Sequence, residues 1–108
     1  MICITLTKNV PLVNADKITA IAVQQARLEK NPYINLVFLT NSAYDVFRYR
    51  EVFTKYIDIG VRVYTENSLE RFKKILLENC KELYVSISDE EALKILENLG
   101  IGLKVHII

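Results

Sequence analysis

The sequence predicts an α/β fold: a three-layer α/β/α sandwich with a five-stranded, mostly parallel sheet and four helices. Three observations lead there. The run Ile34-Asn35-Leu36-Val37-Phe38-Leu39 is apolar at all but one position and shows no two-residue alternation, the pattern of a strand buried on both faces. Strand-like segments alternate with segments of helical periodicity along the whole chain, and connections of that length join parallel neighbours. A chain of 108 residues with 51% hydrophobic content holds one core, so residues 1–108 form a single domain that needs no disulfide or metal staple.

Residues 2–7 alternate Ile2, Ile4 and Leu6 against Cys3, Thr5 and Thr7, which marks a first strand with small residues on its second face. Lys8 to Asn14 is a connection containing Pro11, and Asn14 or Asp16 can cap the helix that follows. That helix runs from Asp16 to about Lys30, with Ile18, Ile21, Ala22 and Leu28 near one face. Asn31-Pro32 ends it, because proline cannot continue a helix and restricts the residue before it.

The strand 34–40 comes next, then a helix over 43–58. Val46, Tyr49, Phe53, Tyr56 and Ile57 form its apolar stripe, and Gly60 breaks it. Residues 61–64 make a short strand whose Arg62 suggests a sheet edge. Asn67 or Ser68 opens another helix with Leu69, Phe72, Leu76 and Cys80 on its apolar face, and Glu70 and Lys74 are spaced to pair. A fourth strand spans 83–87. Ser88 to Glu91 fits a capping box for a helix in which Leu93, Leu96 and Leu99 lead to a stop at Gly100. The last strand spans 103–108, with Lys104 and His106 on one face, again edge-like.

With strand 34–40 inside and strands 61–64 and 103–108 at the edges, the strand order 3-2-1-4-5 satisfies every constraint. The order 2-1-3-4-5 would put the most apolar strand at an edge and ranks second. In such a sheet, ligands bind beyond the carboxyl ends of the strands, where the strand order reverses. Four strands end in small hydroxyl, amide or charged residues there. The candidate ligand-binding residues are Thr7, Lys8, Asn9, Thr40, Asn41, Ser42, Thr65, Ser86 and Ser88. A rim of this kind beside helix N-termini could hold a phosphate or carboxylate, with Lys8 adding positive charge. The same residue types serve as helix caps and turn formers, which is their commoner use.

Several chemistries are excluded or disfavoured. The 14 Lys+Arg and 13 Asp+Glu are interspersed without a basic stripe, which argues against nucleic-acid and anionic-membrane partners. Neither a dinucleotide fingerprint nor a P-loop occurs, so no nucleotide cofactor is expected. Two cysteines and one histidine make no close-spaced metal or redox motif, and no metal is expected. Cys3 reads as a core thiol and Cys80 as a structural one, while His106 has no evident partner. The strand-end acids Glu66, Asp89, Glu90 and Glu91 do not cluster as a receiver or metal-nuclease site requires. Asp89, Glu90 and Glu91 read as first-turn partners of a helix dipole. No apolar run suits a membrane span and no signal-peptide pattern opens the chain, so a cytoplasmic location is expected. The Ile-, Tyr-, Lys- and Glu-rich composition without Trp hints at a thermophilic source.

The chain resembles the DsrE/DsrF/DsrH-like group of small sulfur-relay proteins. The resemblance runs through Ile4-Thr5-Leu6-Thr7, the alanines Ala20, Ala22 and Ala26, and Val37-Phe38-Leu39-Thr40. It continues in Ala43-Tyr44-Asp45-Val46-Phe47 and Ile59-Gly60-Val61-Arg62-Val63-Tyr64, about two thirds of the chain in all. It implies the fold and a tendency to form homo-oligomers. Members that relay sulfur carry a cysteine just after the strand matching 61–64, where this chain has Thr65-Glu66-Asn67, so the resemblance does not imply persulfide chemistry.

The expected function is therefore a non-catalytic binding or assembly module, homo-oligomeric through helix faces or the tyrosine-bearing helix, with a small anionic ligand at the rim. One alternative is a sulfurtransferase-like carrier using Cys80 or Cys3. Another is a nucleotide-sensing module using Lys8, Asn41, Ser68 and Ser88.

Overall fold

The structure is a computed structural model that describes residues 1–99 and 103–108. Five parallel strands, β1 (Ile2–Thr7), β2 (Tyr33–Leu39), β3 (Gly60–Glu66), β4 (Glu82–Val85) and β5 (Lys104–Ile107), form one sheet in the order β3-β2-β1-β4-β5. The order and the two edge strands match expectation. Five helices pack around the sheet rather than four: α1 (Leu12–Leu28), α2 (Ala43–Arg48), α3 (Arg50–Thr54), α4 (Leu69–Asn79) and α5 (Glu90–Glu97).

Strand alternation divides the core into two layers. Ile2, Ile4, Leu6, Ile34, Leu36 and Phe38 face α1, α2 and α3, while Cys3, Val37 and Leu83 meet Phe72, Leu76 and Ile95 from α4 and α5. Phe38 and Leu36 are wholly buried, and side chains of this size contribute about 1.5–3 kcal/mol each. Within β2 the one polar residue, Asn35, is buried, and its Oδ1 has no hydrogen-bond partner among the described residues.

The helices correct several expectations. α1 starts at Leu12, because the Pro11 carbonyl, held in extended geometry, accepts from Asn14 and Ala15; neither Asn14 nor Asp16 caps it. Its buried stripe is Ala15, Ile18, Thr19, Ala22, Val23 and Ala26, a stricter three-four spacing that leaves Ile21 and Leu28 exposed. The helix ends in a Schellman turn: Lys30 adopts φ 58°, Lys30 N–H bonds to Arg27 O at 3.1 Å and Asn31 N–H to Ala26 O at 2.8 Å.

The single helix expected over 43–58 breaks at Tyr49, whose φ of −97° and ψ of 9° end α2 and open α3. The break lets the Tyr49 ring enter the core, 5.4 Å from Phe38, where its hydroxyl donates to Val10 O. Ile57 lies beyond α3 and is fully exposed rather than part of a stripe.

Ser68 caps α4 as expected, accepting from Arg71 N–H at 3.5 Å, but Lys74 pairs with Glu78, not Glu70, and Leu69 is exposed. α5 is capped by Asp89 instead of Ser88, and its buried residues are Ala92 and Ile95, with Leu93, Leu96 and Leu99 only half-buried. The expected stop at Gly100 lies outside the described residues. α5 itself ends at Glu97. β4 ends at Val85, so Ser86 and Ile87 belong to the following turn.

The cysteines also differ from expectation. Cys3 on β1 and Cys80 at the end of α4 are joined in a disulfide across 77 positions, inside the layer that α4 and α5 cover. His106 is not isolated: its ring stacks on Tyr84 with centroids 4.4 Å apart, and Nε2 lies 3.2 Å from Glu82 Oε1. Among the described residues no helix is long and apolar enough to cross a membrane.

Candidate anion-binding cleft

At the carboxyl ends of the strands, the expected rim divides into three depressions. The first, of about 250 Å³, lies at the strand-order reversal between β1 and β4 and is lined by Thr7, Asn9, Ser88, Asp89, Glu90 and Glu91. Asp89 fills the chemistry of this corner. Its Oδ2 accepts Thr7 N–H at 2.9 Å, and its Oδ1 accepts the Thr7 hydroxyl and, at 3.2 Å, Ala92 N–H. Three acids and a fully engaged threonine make the reversal point hostile to an anion. Ser86 is buried behind it, its hydroxyl 2.6 Å from that of Ser88 and accepting Ser88 N–H.

The second depression, about 480 Å³, lies between the ends of β2 and β3 and is lined by Thr40, Asn41, Ser42, Thr65, Glu66 and Asn67, with Ala43 and Val46. Its hydroxyls have internal work. Thr40 donates to Asp45 and accepts Ser42 N–H at 3.1 Å, and Ser42 caps α2 through Tyr44 N–H at 3.3 Å. Among the described residues Glu66 is its one charged lining residue.

The third depression differs in charge. Lys8, at the end of β1, and Lys94, one turn into α5, line a cleft of about 440 Å³ together with Asn41, Asn67, Glu91 and the apolar Leu39, Leu69 and Ile95. Two lysines and one glutamate line it. Neither lysine joins an ion pair among the described residues, whose pairs are Arg27–Asp58, Lys55–Asp16, Lys74–Glu78 and Glu82 with Lys104 and His106. The cleft also opens beside the start of α4, where Ser68 caps the first turn. Positive charge, two side-chain amides and an apolar floor are the ingredients of a site for a small anion with an organic body.

Of the nine candidates, Lys8, Thr40 and Asn41 therefore reach the basic cleft, and Thr40, Asn41, Ser42 and Thr65 share the neighbouring depression. Thr7, Asn9 and Ser88 sit in the acidic corner, and Ser86 lines none of the three depressions. Asn67, which the sequence marks as a possible opener of α4 after the third strand, joins the cleft, and Lys94 escaped sequence reasoning. Lys94 belongs to a helix body, and only its offset from the buried pair Ala92 and Ile95 marks it as turned toward the rim.

No group of three or more His, Cys, Asp or Glu poised to hold a metal ion occurs among the described residues. Compared with family models, curated proteins and solved structures, the chain finds no match in any of the three.

Proposed function

We propose that this protein is a non-catalytic binding module that holds a small phosphate- or carboxylate-bearing molecule between Lys8 and Lys94. The convergence of these two lysines from different elements on one cleft carries this reading. Asn41 and Asn67 supply neutral donors, and Leu39, Leu69 and Ile95 accommodate an apolar portion of the ligand. The rim hydroxyls of Thr7 and Thr40 are spent on Asp89 and Asp45 within the fold, in keeping with binding rather than turnover. The DsrE-like resemblance is compatible with this reading, since the chain lacks the relay thiol and its two cysteines are bonded to each other.

A nucleotide is the second reading, favoured by the volume of the cleft and by the presence of Lys8 and Asn41 within it. Ser88 lies apart from that cleft, so a bound nucleotide engages Lys94 and Asn67 instead. A thermal-shift series with inorganic phosphate, small phosphorylated carboxylic acids and nucleotides tests both readings. A ligand at ~100 Kd adds about 2.7 kcal/mol of stability. The rise should vanish in Lys8→Ala and Lys94→Ala, and no rise with any anion refutes the proposal.

A further inference from the structure

β3 is one edge of the sheet, and among the described residues no strand pairs with its outer side. Its register with β2 runs unbroken from Gly60 to Glu66, with no proline. Gly60 N–H bonds inward to Pro32 O, and Glu66 O accepts inward from Thr40 N–H, so the even-numbered residues spend their backbone groups on β2. By strand alternation, Val61, Val63 and Thr65 direct theirs outward. The opposite edge, β5, has four residues; β3 has seven. A long regular open edge is a template for another strand.

The side chains of this edge are self-complementary. Arg62, Tyr64 and Glu66 share the face that α4 covers, and Tyr64 packs against the Val37–Phe72 layer. Neither Arg62 nor Glu66 joins an ion pair among the described residues. The Arg62 guanidinium lies 3.6 Å over the Tyr33 ring, which holds its plane and leaves its N–H rim available to a carboxylate. On the other face, Val61 and Val63 line a mostly apolar groove of about 250 Å³ with Val46, Phe47, Phe53, Thr54 and Arg50, whose guanidinium lies over the Phe47 ring. Phe47 and Val63 are exposed.

We propose that β3 pairs with β3 of a second copy, antiparallel about a two-fold axis at Tyr64, joining the two sheets into one. In this register Arg62 stands opposite Glu66 of the second copy, and Glu66 opposite its Arg62. Both pairs fall at non-hydrogen-bonded positions, where opposed side chains are closest. Val63 and Thr65 of the two copies stand opposite each other and exchange the backbone hydrogen bonds. Moving the axis two residues either way sets Arg62 against Arg62 or Glu66 against Glu66. The two-fold relation pairs every charge of the strand, which is why the occupant is a second copy and not an unrelated chain. The apolar grooves beside Phe47 run along the same seam.

Sedimentation equilibrium of the full chain tests this pairing, with circular dichroism to verify folding of each variant. The wild type should be a dimer, and Val63→Pro, which removes an outward N–H and no hydrogen bond to β2, should be a folded monomer. Arg62→Glu and Glu66→Arg should each weaken the dimer about tenfold or more, and the double exchange should restore it. A monomeric wild type at millimolar concentration overturns the proposal, as does a native mass spectrum showing a foreign peptide on a single copy. A dimer that survives Val63→Pro, or a double exchange without recovery, overturns it equally.

Discussion

Asp89 ties the end of β1 to the start of α5 through Thr7. One carboxylate accepts the Thr7 backbone N–H at 2.9 Å, the Thr7 hydroxyl and the Ala92 N–H of the first helical turn. Both residues are buried, so nothing in solvent can replace these bonds. Asp89→Ala should cost about 3 kcal/mol, the sum of a lost N-cap and a buried N–H left without an acceptor. Asp89→Asn should cost less, since the amide oxygen still serves one N–H. Chemical denaturation of both variants measures the difference.

The Cys3–Cys80 bond closes a loop spanning 77 positions. On the chain-entropy account, a loop of this length stabilises the fold by about 4–5 kcal/mol. The Cys3→Ala, Cys80→Ala double variant should lose stability of that order, and its denaturation midpoint should not respond to reductant. In the wild type, Cys3 is wholly buried and Cys80 nearly so, and reduction should therefore be slow until the fold opens. Equal stability of the wild type with and without the bond would show that the bond does not constrain the unfolded chain.

Tyr49 donates its hydroxyl to Val10 O inside the core, and burial raises its pKa above the ordinary tyrosine value. Tyr49→Phe should cost about 1–2 kcal/mol at neutral pH by leaving that carbonyl unsatisfied. The sign at high pH follows from linkage. The folded state holds the phenolic proton more tightly than the unfolded chain does. The contribution is whole below the unfolded pKa, about 10, and is lost as pH rises through the folded value. Alkaline destabilisation should therefore be shallower in Tyr49→Phe; Tyr84, also raised by burial, keeps stability falling as pH rises.

Lys30 is the residue of positive φ other than glycine among the described residues. Its place in the turn after α1 is one that glycine fills without strain. Lys30→Gly should stabilise the protein by about 0.5–1 kcal/mol in thermal unfolding, despite the entropy glycine adds to the unfolded chain.

Much of the fold was legible because burial leaves a mark in composition. The apolar run of β2 and the charges of Arg62, Lys104 and His106 were enough to order the sheet. Tyr49 was not legible. Its spacing of three from Val46, four from Phe53 and seven from Tyr56 suits one continuous helix, and only the tertiary demand of Phe38 and Val10 breaks it. Ser88 and Asp89 are both good caps, and the choice fell to the one within reach of Thr7. The disulfide was hidden by the long separation of its cysteines, since pairing depends on β1 meeting the end of α4. At the rim, residue type could not separate hydroxyls spent on turns from groups facing a cleft. Charge could: Lys8 was visible at a strand end, whereas Lys94 becomes part of the site only once α5 is docked.

The most direct test of the central claim is a titration of isotope-labelled protein with inorganic phosphate, followed by amide chemical shifts. The account predicts saturable shifts at Lys8, Asn41, Asn67 and Lys94, little change at Ser88 and Asp89, and no saturable response in Lys8→Ala, Lys94→Ala protein. Shifts centred on the Thr7–Asp89 corner, or none at the lysine cleft, would contradict it.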